Sequence, residues 1–141
     1  MTIALNTART IIRKTLEKGR EMGMKPLSVV VLDAGGHVHA FEREDGASPG
    51  RFAVAHGKAY GSVMLGMAGT AQMARAEQQP YFIGAVNGLF GGQMVPVPGG
   101  VLVRDKDGAV VAAVGVTGDS SENDAAAATA GIEAAGLLAE I

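Results

Sequence analysis

The chain has 141 residues, of which 48% are hydrophobic and 18% charged, and its formal net charge is −2. This length and hydrophobic content predict one domain with a core of its own, and they exclude an intrinsically disordered chain. Lysine and arginine are scattered, with no cluster larger than the adjacent Arg13 and Lys14, and cysteine is absent. Nucleic acids and anionic membrane surfaces are therefore not expected partners, and disulfides and thiolate chemistry are excluded.

The N-terminal part of the chain predicts a helix followed by a hairpin. Apolar residues recur there at spacings of three and four, at Leu5, Ala8, Ile12 and Leu16, which predicts an amphipathic helix over residues 3–22. Charges interrupt this segment, and no run approaches the roughly 20 apolar residues of a membrane span, so we expect a cytoplasmic protein. The β-branched stretch 28–33 and residues 37–43 flank an Ala-Gly-Gly turn and predict two antiparallel strands.

The middle of the chain is helical in its pattern. After a Gly- and Pro-containing loop, a helix rich in small residues is predicted over residues 51–67, and a shorter helix capped by Thr70 ends near Gln78. Pro80 is expected to open another helical segment that ends near Asn87.

The C-terminal part predicts a second hairpin and a last helix. Residues 101–106 and 109–117 flank an Asp-Gly turn and predict two strands. The last helix is expected to begin at a capping box formed by Ser121 and Asp124 and to run to about Glu140. Strands joined by hairpins beside helices predict an α+β domain over residues 1–141, with no internal repeat and no domain boundary.

Four motifs in order resemble the GlcG/HbpS family, which includes the C-terminal domain of PduO-type proteins. They are the stretch from Val31 to Gly46 (VLDAGGHVHAFEREDG), Lys58-Ala-Tyr60, Val97-Pro-Gly-Gly-Val101, and the hairpin from Gly108 to Gly118, with Ala112 and Thr117 departing from the pattern. The resemblance implies a profilin-like fold with a five-stranded antiparallel sheet flanked by helices, and a homo-oligomer between dimer and octamer. It also implies haem as the ligand of some members, whereas others accompany small-molecule catabolism without a settled activity.

His56 is the leading candidate for chemistry. Phe52 precedes His56 by about one helical turn and Tyr60 follows it by about one turn, so the three side chains are expected on one helix face. An imidazole on such a face suits haem iron or acid–base chemistry, although a structural core histidine has the same pattern. The predicted pocket lies between the sheet and the middle helices, and its expected lining is Phe52, His56, Tyr60, Met64, Phe90 and Met94.

Charged residues supply further candidates, each with a structural alternative. Arg43 and Asp45 either contact an anionic ligand or form a local turn. Arg51 and Lys58 lie nearly on one helix face and either attract a carboxylate or remain solvated. Glu77 is either a general base opposite His56 or a surface residue.

Glycine-rich and histidine-rich segments complete the candidates. Pro98, Gly99 and Gly100 either present backbone N–H groups to an oxyanion or form a tight entry into a strand. His37 and His39 are expected to share one strand face, where they either bind a metal or remain solvated. Val38 and Ala40 are expected to face the core on the other side.

Three functions remain open from the sequence. The first is a protein that binds a small ligand, with haem and His56 as its axial ligand. The second is a cofactor-independent isomerase or lyase for a small hydroxy or oxo acid, with His56 as base and Arg51, Lys58 or the Pro98–Gly100 backbone stabilising an enolate. The third is a structural subunit of an oligomer.

Overall fold

The computed structural model describes residues 2–141 and contains five helices and five strands in these residues. The helices are α1 (Leu5–Glu21), α2 (Arg51–Leu65), α3 (Gly69–Gln78), α4 (Pro80–Leu89) and α5 (Ser121–Ala134). The strands are β1 (Ser28–Asp33), β2 (Val38–Arg43), β3 (Gly100–Arg104), β4 (Val110–Thr117) and β5 (Leu138–Glu140). The sheet has the order β2-β1-β4-β3-β5, and every pairing is antiparallel. The predicted α+β class and the five-stranded antiparallel sheet are therefore confirmed.

The sheet is covered on both faces by different helices. Alternate residues of each strand point to opposite faces, so Val29 and Val31 pack with α1 and α5, while Val30 and Leu32 pack with α2. The strands β1 and β4 are consequently apolar along almost their whole length, as expected for strands buried on two sides.

The approach of α2 to the sheet depends on two paired glycines. Gly100 of β3 lies opposite Gly115 of β4. A Cβ atom at Gly115 would overlap the carbonyl oxygen of Ala55, and one at Gly100 would overlap that of Lys58. The absence of side chains here lets the helix backbone rest directly on the strands.

The predicted end of the last helix was wrong. Helix α5 stops at Ala134, Gly136 adopts a φ of 79°, and Leu138–Glu140 forms the edge strand β5 on β3. The positive φ reverses the chain direction, and an ion pair of 2.9 Å between Arg104 Nε and Glu140 Oε1 accompanies the pairing.

The N-caps of α3 and α5 also differ from the predicted residues. Ser120 rather than Ser121 is the N-cap of α5, since its hydroxyl accepts a hydrogen bond from the Asn123 N–H at 3.2 Å. Helix α3 begins at Gly69, so Thr70 lies inside it. Gly69 packs tightly against the carbonyl oxygen of Val97, a contact that local sequence does not reveal.

Candidate functional site

Helix α2 carries two different faces. Ala55 and Ala59 are fully buried against the sheet. Phe52, His56 and Tyr60, spaced by four residues, lie on another side of the helix and retain exposure to solvent. A period of 3.6 residues per turn produces this separation, so the fold brings these three side chains together as predicted.

The three side chains belong to a continuous row of five rings. The ring centroids of Phe41 and Phe52 are 4.8 Å apart at an interplanar angle of 84°, and those of Phe52 and His56 are 5.8 Å apart. His56 stacks on Tyr60 at 5.3 Å and 22°, and Tyr60 meets Phe90 edge-on at 6.1 Å. These spacings are those of favourable aromatic pairs, so the imidazole occupies the centre of an aromatic row.

An apolar groove of about 590 Å³ lies beside two rings of this row, those of Phe52 and His56. It is lined by Val38, Phe52, Ala53, Val54, His56, Gly92, Gln93 and Val95. This volume lies within the usual range of small-molecule sites.

Val38 reaches the groove because of an irregularity in β2. The register between β1 and β2 shifts between Val31 and Leu32, so that Val31 pairs with Ala40 but Leu32 pairs with Val38. Ala40 therefore packs against the α1 and α5 layer, whereas Val38 is 49% exposed in the groove. The prediction that both face the same core was wrong, because a bulge reverses side-chain alternation.

Burial lowers the pKa of His56 below its usual value of 6.5. Partial burial reduces the hydration available to the protonated imidazole, and desolvation is the only cause of the shift. Desolvation favours the neutral ring, so His56 has a nitrogen lone pair available at neutral pH.

The prediction that Tyr60, Met64, Phe90 and Met94 line the same groove was wrong, since none of them is in its lining. Phe90 is half-buried beside Tyr60, and Met64 packs near Gly36 at the β1–β2 turn. Met94 is buried, and its backbone N–H and carbonyl both bond to the Asn87 side chain. Asn87 thereby holds the segment that precedes Val95 of the groove.

Lys58 lies in the protein interior, away from the aromatic row. Its ammonium donates to the Val116 carbonyl at 2.9 Å and to Asp124 Oδ2 at 3.1 Å. Its pKa is lowered by desolvation, which the attraction of Asp124 opposes, and the pKa of Asp124 is raised by its own burial. The interpretation of Lys58 as a solvated side chain was wrong.

Arg51 and the Pro98–Gly100 segment adjoin this buried pair. Arg51 donates to the hydroxyl oxygens of Ser48 and Thr117. Pro98, Gly99 and Gly100 are buried, and a Cβ at Gly99 would come within 2.9 Å of Lys58 Nζ. The segment thus packs against α2 at the start of β3, which matches the structural alternative for these glycines.

The other charged candidates lie apart from His56. Arg43 and Asp45 line a cleft of about 440 Å³ beside α1, together with Leu16, Arg20, Pro26, Glu42 and Glu44. Glu77 is exposed on α3 and does not line the groove of His56. The fold therefore does not bring these three residues into the aromatic site.

The two remaining histidines occupy different environments. The imidazole of His37 is 81% exposed and lies 3.2 Å from Asp33 Oδ1. The His39 Nε2 atom is buried without a hydrogen-bond partner among residues 2–141. Only His39 belongs to β2, so the expectation of a shared strand face was wrong.

Sequence reasoning missed at least four residues that contribute to these sites. Phe41 extends the aromatic row from β2, Gln93 and Val95 form the far wall of the groove, and Asp124 neutralises Lys58. Phe41 lies in the strand predicted over residues 37–43 and was an available aromatic candidate, whereas the contact of Asp124 with Lys58 spans 66 residues and leaves no local pattern. None of the helices in residues 2–141 has the length and apolar character needed to cross a membrane.

Comparisons with known proteins identify relatives over nearly the whole chain. The model of a family described as haem degrading protein HbpS-like matches residues 3–133. HbpS is 28% identical to this chain, and the two structures match with a TM-score of 0.80 over 93% of this chain and 88% of the HbpS chain. A double mutant of HbpS from Streptomyces reticuli is also 28% identical, with a TM-score of 0.82, 94% of this chain covered and 86% of that chain.

A more distant structure shares the fold. PduOC in complex with haem is 22% identical with a TM-score of 0.84 over 95% of each chain. No curated protein sequence is significantly similar to this one.

Proposed function

Because this chain belongs to the family of haem-degrading HbpS-like proteins, we propose that it binds haem in the groove beside α2, with His56 as the axial ligand. The observation that carries the proposal is the imidazole at the centre of an aromatic row along an apolar groove. The haem complex of PduOC, a protein of the same fold, supports the same ligand class.

The orientation of His56 suits ligation. An imidazole binds a metal through a nitrogen lone pair in the plane of the ring. Phe52 and Tyr60 neighbour the ring at centroid distances of 5.8 and 5.3 Å, and such contacts restrict the orientations that the imidazole can adopt. Bound haem would supply the iron centre.

The groove suits a flat, largely apolar macrocycle with charged edges. Its walls are aromatic and aliphatic, and such surfaces gain free energy when covered by an apolar ligand. The Lys58 ammonium is committed to Asp124 and Val116, so it does not reach a propionate. We therefore expect the two propionates to remain in water at the open side of the groove.

The enzymatic alternative receives less support. It requires His56 to act on one substrate together with Arg51, Lys58 or the Pro98–Gly100 backbone. Arg51 donates to Ser48 and Thr117 and is not in the lining of the groove. His56 lines the groove, whereas Lys58 is 4% exposed in its side chain and faces Asp124. Two residues separated by two positions on a helix point in nearly opposite directions, so these groups do not converge.

The proposal is tested by haem titration followed by absorbance. We expect the wild-type protein to give a saturable, shifted Soret band, and we expect His56→Ala to lose the histidine-ligated spectrum and to regain it with added imidazole. His37→Ala is the matched control, since this histidine is exposed and is not in the lining of the groove, and its spectrum should equal that of wild type.

A second variant tests how much the apolar groove contributes to haem affinity, independently of iron ligation. Phe52→Ala removes a ring that is 40% exposed, so it should leave the protein folded. It should retain the ligated spectrum with an affinity about tenfold lower, corresponding to about 1.4 kcal/mol. A His56→Ala protein with the wild-type spectrum and affinity would refute the assignment of His56.

A further inference from the structure

The far wall of the groove belongs to the connection between α4 and β3. Gly92, Gln93 and Val95 line the groove from this connection, which runs over residues 90–99 without forming a helix or a strand. Gln93 is exposed, and a Cβ added at Gly92 would meet no atom within 4 Å. The tip of the connection thus has few packing contacts, and such segments open easily unless hydrogen bonds hold their ends.

Asn87 holds one end of this wall. Its side-chain oxygen accepts the Met94 N–H at 2.9 Å, and its side-chain amide donates to the Met94 carbonyl at 3.3 Å. An asparagine side chain contains both a donor and an acceptor, so it pairs both backbone groups of one residue, as a neighbouring strand would. The Asn87 carbonyl also accepts the Gly92 N–H at 2.7 Å. Asn87 therefore closes residues 88–93 into a loop, called here the groove loop.

Inside the groove loop the hydrogen bonds are local. The Gly91 N–H donates to the Gly88 carbonyl at 3.2 Å, and the Gln93 side-chain amide donates to the Phe90 carbonyl at 3.3 Å. Gly91 and Gly92 have φ values of 71° and 74°, which glycine adopts without strain. These local features set the shape of the loop, whereas its position relative to α2 depends on its two ends.

The other end of the wall rests on α2 next to His56. The Val95 N–H donates to the Gly57 carbonyl at 3.1 Å. A Cβ added at Gly57 would come within 2.6 Å of the Gln93 carbonyl oxygen and of Val95 Cγ2. Gly57 directly follows His56 in α2, so adjacent residues of one helix place the imidazole and the wall. The groove loop is therefore fixed at two points, Asn87 and Gly57.

From these contacts we propose that Asn87 is a positioning residue that holds the far wall of the groove in place and thereby slows release of the ligand. The inference rests on the proposed function, in which the ligand is haem. A wall that is ordered before binding loses less conformational entropy when the ligand binds, and differences in affinity at one site lie mostly in the dissociation rate. Asn87 is not in the lining of the groove, so ligation of iron by His56 does not depend on it.

The test removes the two bonds between Asn87 and Met94. In Asn87→Ala without ligand, we expect amide hydrogen exchange at residues 92–95 to become at least about tenfold faster while exchange in the sheet stays unchanged. We expect haem to transfer to excess apomyoglobin about tenfold faster than from wild type, with the histidine-ligated Soret band retained. Urea denaturation, measured alongside, should show little loss of global stability. Asn6→Ala, at an exposed asparagine of α1, is the control and should behave as wild type.

A second variant keeps the size of the side chain. Asn87→Asp still accepts the Met94 N–H, but its other carboxylate oxygen faces the Met94 carbonyl instead of donating to it, so this variant should also release haem faster than wild type. It carries the test if Asn87→Ala does not fold.

The outcomes separate this inference from the proposed function. Haem release at the wild-type rate from both variants would overturn the inference, and so would unchanged exchange at residues 92–95. Loss of the histidine-ligated spectrum in the variants would also contradict it, because Asn87 would then support His56 rather than the wall. A wild-type protein that binds no haem would refute the proposed function and the role in ligand release with it, whatever the exchange of the variants.

Discussion

The ammonium of Lys58 lies 3.1 Å from Asp124 Oδ2, and the side chains of the two residues are only 4% and 1% exposed. The carboxylate has a further role, since Asp124 Oδ1 accepts the Asp119 N–H at 3.0 Å. This pair joins α2, which carries His56, to the first turn of α5. It therefore helps to position the candidate site without contacting it.

Removing one member of this pair should strongly destabilise the fold. Asp124→Ala leaves the Lys58 ammonium buried without its counter-charge, and we expect the free energy of unfolding to fall by about 3–5 kcal/mol. Urea denaturation measures the change. Glu122→Ala, an exposed acidic position in the same helical turn, should cost less than about 1 kcal/mol.

The apolar double variant Lys58→Met, Asp124→Leu distinguishes a charge effect from lost packing. Replacement of both ions removes the unpaired charge, so it should recover much of the stability lost in Asp124→Ala. A double variant as unstable as the single one would show that packing, and not the unpaired ammonium, causes the loss.

Gly115 should tolerate no side chain. Gly115→Ala directs a methyl group into the Ala55 carbonyl and the Ala59 Cβ, so α2 must move away from the sheet. We expect a loss of about 1–3 kcal/mol in urea denaturation, as for other overpacked sites. Gly84→Ala on α4 meets open space and should instead be neutral or stabilising by up to about 1 kcal/mol. Equal effects of the two substitutions would contradict this account of the α2–sheet contact.

Asp119 should contribute to acid sensitivity. Hydrogen bonds from the Asn123 side chain and from the Lys25 and Ser120 backbone N–H groups lower its pKa from 3.8 to about 2. The native state therefore binds this proton less readily than the unfolded chain, so the stability contribution is complete above pH 3.8 and is lost as pH falls toward 2. Stability measured across this interval should fall less steeply in Asp119→Asn than in wild type, and identical slopes would exclude this contribution.

The proposed haem site should resist mild acidification. A protonated imidazole cannot ligate iron, and burial lowers the pKa of His56 below 6.5. We therefore expect haem affinity to stay nearly constant down to about pH 6.5, the usual pKa of a histidine side chain, and to decline at lower pH. Soret titrations at several pH values, with the His56 ring protons followed by NMR, measure both quantities. A His56 titration above 6.5 would contradict the direction of the shift.

Regular patterns in the chain were sufficient for the main architecture. The spacing of Phe52, His56 and Tyr60 predicted one helix face, and the fold retains it. The hairpins β1–β2 and β3–β4 were predicted from β-branched runs flanking Gly-containing turns. These features depend on residues close in sequence, for which helical and strand periods are informative.

Other features had no local pattern that distinguished them. The strand β5 has only three residues, and these continue the composition of the helix before it. The bulge that brings Val38 into the groove depends on how β2 pairs with β1. Met94 has the character of a groove residue, yet the fold buries it and uses its backbone to bind Asn87.

The amino-acid sequence by itself therefore determined the α+β class, the helix that presents His56 and the aromatic side chains near it, because these follow from the periodicity of neighbouring residues. Only the tertiary structure decided that Lys58 is buried against Asp124, that Arg43, Asp45 and Glu77 lie away from the groove, and that Gln93 and Val95 lie against α2 at Gly57. Each of these outcomes depends on contacts between distant segments, and such contacts are set by the packing of whole elements rather than by any single stretch of the chain.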